Sequence, residues 1–194
     1  MKYLEGKGKV WWLSAWQIII DRYPELGEEI VVSTWPYGFK GIYGLRNFTI
    51  QDKQGNYLVR ANSQWFYYDV EAGRPARPSE ELVVRYGQLE ERLDMEYAPR
   101  KIAIPDEYEV GEPILVMKHH LDTNHHVNNA QYVEIAREVL PDEFCIGELR
   151  VEYKKAAVMG DYMTPRISRT DEGYVVVLCD PEGSAHAVIW LKEQ

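Results

Sequence analysis

The stretch that decides the fold is Leu121-Asp122-Thr123-Asn124-His125-His126-Val127-Asn128-Asn129-Ala130-Gln131-Tyr132. Within it, Asp122, Asn124 and His126 place a carboxylate, an amide and an imidazole close together in the chain. The amphipathic segment Ala130 to Leu140 follows directly and predicts a helix. A carboxylate and a base before a helix N-terminus can activate water, while the helix end polarises a carbonyl group. The stretch therefore predicts a hydrolase site at the start of a helix.

A structural role is the alternative for some of these residues. Asn side chains before a helix often accept hydrogen bonds from its first free backbone N–H groups, and we expect Asn128 or Asn129 to do so. A histidine cluster lies nearby: His119, His120, His125 and His126. Its spacing, without neighbouring Cys, does not match a usual zinc pattern. We therefore expect no metal site.

The run from Asp122 to Tyr132 resembles the acyl-ACP thioesterases of plants and bacteria, which are tandem hotdog proteins. Their second repeat carries the pattern Asp-x-Asn-x-His-Val-Asn-Asn-x-x-Tyr, which this run matches. The resemblance extends from about Lys9 to the C-terminus. Its other segments are Trp11 to Trp16, Asp21 to Pro24, Thr34 to Gly38, Ala61 to Trp65 and Glu152 to Lys155. It implies an α+β tandem hotdog, in which two antiparallel sheets each wrap a helix.

An internal repeat supports a division into two halves. The turn Asp52-Lys53-Gln54-Gly55 resembles Asp180-Pro181-Glu182-Gly183, and each leads into a strand that contains Trp. Apolar alternation predicts four strands in each half. They are about Val10 to Asp21, Glu28 to Tyr37, Ile42 to Gln51 and Tyr57 to Tyr68, then Glu148 to Lys155, Asp161 to Ser168, Tyr174 to Cys179 and Ala185 to Lys192. We predict an incomplete first repeat with a linker helix in residues 1–95, and a second repeat that carries the motif in residues 96–194.

The connecting segments are less regular. Ser79 can cap a linker helix from Glu80 to about Leu93, although Gly87 inside it argues against an unbroken helix. We interpret Ala98 to Pro113 as loop, followed by a short strand from Ile114 to Met117.

The first repeat begins differently from the second. No helical period precedes Lys9, so we expect the first repeat to lack its N-terminal strand and helix. A curved sheet without its helix exposes apolar positions unless another chain covers them, which predicts either a homodimer or poor solubility. The aromatic clusters Trp11-Trp12 and Trp65 to Tyr68 predict core and the wall of an acyl pocket.

Composition excludes several classes of partner. The net charge is −9 and no basic run exceeds Lys154-Lys155, which argues against a nucleic-acid partner. The apolar segment Val10 to Ile20 is too short to span a bilayer, so no membrane association is expected. Two cysteines and no signal peptide indicate a reducing compartment, and we predict a cytoplasmic protein. Cys179, inside an apolar run, is interpreted as a small buried hydrophobe.

The chemistry implied by the resemblance departs from the plant pattern at one point. Plant members carry an acidic residue and a Cys after a Tyr-Arg-Arg stretch, whereas here Tyr153-Lys154-Lys155 leads into Ala156 and Ala157. A Cys-His-Asn mechanism is therefore excluded, and an acidic group would have to come from Glu152 or Glu134. The predicted catalytic residues are Asp122, Asn124 and His126.

The predicted function is hydrolysis of a fatty acyl thioester on acyl carrier protein, giving free fatty acid and the carrier thiol. Water is the second substrate, so no cofactor is required. Three alternatives remain: an acyl-CoA thioesterase, a catalytically silent hotdog that binds acyl chains or a partner, and a hotdog dehydratase.

Overall fold

The computed structural model describes residues 8–194. The chain divides into two compact units between Ala98 and Pro99. The expectation that a strand and helix are missing before Lys9 concerns residues 1–7, which lie outside the described part of the chain.

The first unit is an antiparallel sheet. Its strands are β1 (Lys9–Ile20), β2 (Val31–Lys40), β3 (Tyr43–Gln51), β4 (Tyr57–Asp69) and the short β5 (Arg74–Pro75). The spatial order is β2-β3-β4-β1, and β5 pairs with β4. The four predicted strands of this half are confirmed, although the predicted start of β2 at Glu28 is wrong. The Glu28 carboxylate accepts a 2.8 Å hydrogen bond from the Glu25 N–H and pairs with Arg22, which holds Glu28 in the preceding loop.

One face of this sheet is covered by residues 90–98. Gln17 is 5% exposed; its amide donates to the Glu96 carbonyl and accepts from the Ala98 N–H, each at 2.9 Å. Asn47 is fully buried, and its amide oxygen accepts from the Leu93 N–H at 3.1 Å. Buried polar groups are tolerated only when they are hydrogen-bonded, so these two amides fix the path of the covering segment.

The linker helix is shorter than predicted. Helix α1 runs over Glu80–Arg85, and Ser79 caps it by accepting from the Leu82 N–H at 3.2 Å. The predicted end at Leu93 is wrong. Gly87, at φ +76°, adopts a left-handed conformation that ends the helix, and α1 contains no buried residue.

The second unit has a strand meander around a helix. Its elements are β6 (Glu109–Val110), β7 (Ile114–Leu115), a 3₁₀ turn (Lys118–His120), α2 (Asn129–Glu138), β8 (Ile146–Tyr153), β9 (Tyr162–Thr170), β10 (Gly173–Cys179) and β11 (Ala185–Glu193). The antiparallel order is β8-β11-β10-β9-β6, and β7 also pairs with β9. Because α2 packs against β10 and β11, this half has the predicted hotdog arrangement, and the tandem hotdog fold class is confirmed. The segment expected to be only loop contains β6, because Glu109 and Val110 pair with β9.

The two faces of the second sheet have different coverings. Arg150 and Glu152 on β8 bond to residues 99–102, whereas the Tyr153 hydroxyl donates to the Asn129 carbonyl at the start of α2. This confirms the predicted alternation along β8. On the face that carries Arg150 and Glu152, Ile102 packs in a buried cluster with Val175, Val177, Cys179 and Val188. Cys179 is 2% exposed and is a buried hydrophobe, as predicted. Among residues 8–194, no helix combines the length and apolar character needed to cross a bilayer.

Candidate functional site

The predicted site residues lie in a closed five-residue turn. The Asp122 N–H donates to the His126 carbonyl at 2.7 Å, and the His125 N–H donates to the Asp122 carbonyl at 3.1 Å. The Asp122 Oδ1 atom accepts from the backbone N–H groups of Asn124 and His126, at 2.7 and 3.2 Å. The carboxylate thus closes the turn, and it brings Asp122 and Asn124 together. His125 is left at φ +62°, which is uncommon for any residue but Gly.

The same turn also occurs at residues 52–56 and 180–184. In each, Oδ1 of the leading Asp accepts from the N–H groups two and four residues later, at 2.9 and 2.8 Å for Asp52 and at 3.0 and 2.8 Å for Asp180. The fourth residue has positive φ in both and is a glycine: Gly55 at +85° and Gly183 at +89°. The motif is therefore built as a hairpin-type turn in which His125 takes the glycine position.

The second carboxylate oxygen distinguishes the three turns. Oδ2 of Asp52 accepts from the Asn56 side chain at 2.8 Å, and Oδ2 of Asp180 pairs with Lys155 at 3.0 Å. These side-chain hydrogen bonds are the main reason that the pKa of each of those two carboxyls is lowered. Oδ2 of Asp122 has only a 3.3 Å contact with the Asn124 amide nitrogen. It is the least engaged of the three oxygens.

His126 is held through its backbone. It forms an antiparallel bridge with Val158, and the next N–H, of Val127, donates to the Ala157 carbonyl at 2.9 Å. The His126 side chain is half-buried, and its ring has no hydrogen-bond partner among residues 8–194. Asp122 thus contacts the His126 backbone and not its imidazole. Catalytic hydrogen bonds often tighten only when substrate binds. The His126 imidazole is therefore available to exchange protons in a complex with substrate.

His120 stabilises the motif through two hydrogen bonds. Its carbonyl accepts from the Asn128 N–H at 2.8 Å, and its Nδ1 accepts from the Met117 N–H at 2.9 Å. Burial and then the neighbouring His119 lower the pKa of His120, which favours the neutral ring. Within the described residues, no three His, Cys, Asp or Glu side chains lie close enough to hold a metal ion.

The start of α2 supplies one free donor. Asn128 is the cap: its side-chain oxygen accepts from the Ala130 N–H at 2.9 Å, and its carbonyl accepts from the Gln131 N–H at 2.9 Å. Asn128, one of the two residues predicted to cap this helix, is therefore confirmed as the cap. In the part of the chain that the structure describes, the Asn129 N–H has no hydrogen-bond partner. The Asn129 N–H is therefore available as a backbone donor to a carbonyl oxygen.

Ala157 is one of the two alanines at which the sequence was expected to depart from the plant pattern. It is fully buried, and its N–H donates to the Tyr132 hydroxyl oxygen at 2.9 Å. Glu152 cannot supply the missing acid, because it is fully buried on the opposite face of β8, where it bonds to the Ile102 N–H and pairs with Lys154. The other candidate, Glu134, lies exposed on α2.

Two tyrosines were not singled out as functional by sequence reasoning. Tyr132 is 3% exposed and Tyr153 makes an edge-to-face contact with it, with ring centroids 5.7 Å apart. Burial raises the pKa of both hydroxyls, so both stay protonated at neutral pH. Tyr132 is the last residue of the motif and lies at a helix position that faces the sheet. This spacing is the sequence feature that could have indicated its role.

The first unit contains an apolar cavity of about 190 Å³. Its lining includes Trp11, Phe39, Trp65 and Tyr86. Of the aromatic residues predicted to form a pocket wall, Trp11 and Trp65 do line a cavity, whereas Trp12 is 38% exposed.

Both halves of the chain match models of one protein family. Residues 1–86 match the acyl-ACP thioesterase N-terminal domain, and residues 94–179 match the C-terminal domain. Among curated proteins, a chloroplastic acyl-[acyl-carrier-protein] hydrolase of Cuphea viscosissima is 26% identical over 163 residues, which cover 77% of this chain. The match covers 38% of that relative, so the chain spans well under half of its length.

Solved structures agree on the fold. An acyl-ACP thioesterase from Bacteroides thetaiotaomicron superposes with a TM-score of 0.87 at 20% identity, covering 100% of this chain and 80% of the other. A 12:0-ACP thioesterase from Umbellularia californica gives 0.86 at 18% identity, covering 99% and 78%. Since the two family models together cover most of the sequence, the chain belongs to the acyl-ACP thioesterase family, as its motif predicted.

Proposed function

We propose that this protein hydrolyses fatty acyl-ACP to free fatty acid and acyl carrier protein. Family membership and the names of its curated relatives support this substrate class. The observation that carries the proposal is the Asp122 carboxylate: one oxygen is anchored in the turn while the other has only a 3.3 Å contact. An anchored carboxylate with a free oxygen is suited to take a proton from water.

The reaction would proceed through water. Asp122 Oδ2 takes one proton as the water oxygen bonds to the thioester carbonyl carbon. The resulting oxyanion returns its electron pair to the carbonyl, and the C–S bond breaks. The sulfur takes the proton held by Asp122, directly or by way of His126, which gives the carrier thiol and regenerates the carboxylate. The atoms of one water are thus divided between the acid and the thiol.

The other residues would assist each stage. His126 orients the water or passes a proton to the sulfur, since an imidazole exchanges protons near neutral pH. The Asn124 amide holds the carbonyl oxygen or positions the water. The Asn129 N–H adds a donor to the oxyanion; one such donor stabilises a transition state by roughly 3 kcal/mol.

The replacement Asp122→Asn tests the assignment. Asn keeps an oxygen that can accept from the Asn124 and His126 N–H groups, so the turn survives, but the base is lost. We expect kcat on an acyl-ACP to fall by about 10²- to 10⁴-fold with little change in melting temperature. Asp52→Asn is a matched control, because it makes the same replacement in the same kind of turn and should keep full activity. Full activity in Asp122→Asn would reject the carboxylate as the base.

Ala156 and Ala157 favour a second candidate, a catalytically silent protein that binds acyl chains. Neither side chain can ionise or attack, and Ala157 is fully buried. Wild-type protein that binds acyl-ACP with no turnover above the Asp122→Asn background would establish this reading. Turnover of one acyl chain on ACP and on CoA, measured side by side, separates the two carriers.

We also infer a homodimer and a cytoplasmic location. Partly exposed apolar residues on the first unit support association, among them Trp12 and Val32, which are 38% and 65% exposed. Light scattering after size exclusion measures the mass directly, and a monomer at micromolar concentration would contradict the first inference. Fractionation of the producing cell tests the second.

A further inference from the structure

We infer that Tyr132 is a positioning residue, whose hydroxyl sets the place of His126 through the backbone of Ala157. The inference rests on the proposed function, since it concerns how that site is held. Tyr132 would not touch the substrate.

The connection is a short series of hydrogen bonds. The Tyr132 hydroxyl oxygen accepts from the Ala157 N–H at 2.9 Å, and the Ala157 carbonyl accepts from the Val127 N–H at 2.9 Å. On either side of this link, His126 and Val158 form an antiparallel bridge. The backbone of Ala157 therefore links the segment that carries His126 to a side chain of α2, in addition to the direct chain connection through Asn128.

The hydrogen bond between Ala157 and Tyr132 is buried, so its loss is costly. Ala157 is fully buried and Tyr132 is 3% exposed, so removal of the hydroxyl leaves a buried N–H donor without its acceptor. The Ala157 N–H would then have to move to find an acceptor, and the bridged segment that carries His126 would move with it. A second hydroxyl holds the helix end in place, since Tyr153 donates to the Asn129 carbonyl at 2.9 Å.

This arrangement also accounts for a small side chain at 157. The backbone of Ala157 makes two hydrogen bonds, and its methyl group is fully enclosed. Position 157 acts in this chain through its peptide groups.

The test is Tyr132→Phe, which keeps the ring and its contact with Tyr153 but removes the acceptor. We expect kcat on an acyl-ACP to fall by about 10- to 100-fold, as for a misplaced catalytic group, with KM within about twofold. The matched control is Tyr37→Phe in the first unit, which also deletes a hydrogen-bonded hydroxyl, here 2.8 Å from Asn62 Oδ1. It should keep wild-type kcat.

Activity must be compared well below each melting temperature, so that loss of folded protein does not count as loss of rate. The decisive measurement repeats Tyr132→Phe in a His126→Ala background. If Tyr132 acts through His126, the second replacement lowers kcat no further. Independent, multiplying losses would overturn the inference, and so would wild-type kcat in Tyr132→Phe.

Failure of the proposed function would look different. In that case Asp122→Asn and His126→Ala would both retain wild-type turnover, or the wild type itself would have none. Loss of activity in those two variants with full activity in Tyr132→Phe rejects only the positioning role.

Discussion

In the first unit, residues 90–98 are held on the sheet by neutral amides, whereas in the second unit residues 99–102 are held by a buried carboxylate together with Arg150. Asn47 bonds to the Leu93 N–H and the Ala61 carbonyl. Glu152, also fully buried, bonds to the Ile102 N–H and pairs with Lys154. The same structural task is thus met by two chemistries. An amide brings its own donor and acceptor, while a carboxylate depends on cations from the surface.

The largest effect is expected from giving the first unit the chemistry of the second. In Asn47→Asp, the buried carboxylate would keep the donors from Leu93 and Tyr97 but would face the Ala61 carbonyl without a cation. We expect a loss of about 3–5 kcal/mol in the free energy of unfolding. Urea denaturation at pH 7 measures it. A loss under 1 kcal/mol would show that the amide and the carboxylate are interchangeable.

The reverse replacement, Glu152→Gln, should cost less. Gln keeps an acceptor for the Ile102 N–H, and the lost partners Lys154 and Arg100 are already 38% and 41% exposed. Because solvent screens those pairs, we expect a loss of about 1–2 kcal/mol in unfolding free energy. The same denaturation series tests this, and a cost above that of Asn47→Asp would reverse the comparison.

The two helix caps give a smaller contrast. Asn128→Ala removes the cap of α2, whose buried residues Tyr132, Ile135 and Ala136 belong to the core, and should cost about 1 kcal/mol. Ser79→Ala removes the cap of α1, which buries nothing, so the expected cost is below roughly 0.5 kcal/mol. Equal losses would mean that α1 is part of the core.

The smallest effect is a pH dependence confined to the second unit. The folded pKa of His120 lies below its ordinary value because of burial, so the unfolded chain binds this proton first as the pH falls. Its contribution to stability is complete above about pH 6.5 and is lost below it. His120→Asn keeps an acceptor for the Met117 N–H without titrating. Between pH 7.5 and 5.5 its melting temperature should fall less than that of the wild type, and an equal fall would contradict the assignment.

The strands and the motif helix could be predicted because their signals are local. Alternating side chains on β8 and the apolar period after Asn128 depend on neighbours in the chain. The end of α1 was predicted too late, at about Leu93, although Gly87 was noted as a possible interruption; its left-handed backbone ends the helix. The covering segments could not be predicted, since Glu152 and Ile102 lie 50 residues apart.

The candidate site was predicted as a set of residues but not as a geometry. The pattern around Asp122 shows no sign of a hairpin turn, because the glycine that marks the other two turns is replaced by His125. The role inferred for Tyr132 depends on a hydrogen bond to residue 157, which spacing along one helix cannot reveal.

His125, which occupies the turn position where the other two turns have glycine, has a consequence for engineering this chain. A left-handed backbone costs a side-chain-bearing residue on the order of 1 kcal/mol relative to glycine. Selection for heat resistance alone should therefore converge on glycine at position 125. Selection for turnover will show whether the His125 imidazole, next to that of His126, contributes to activity.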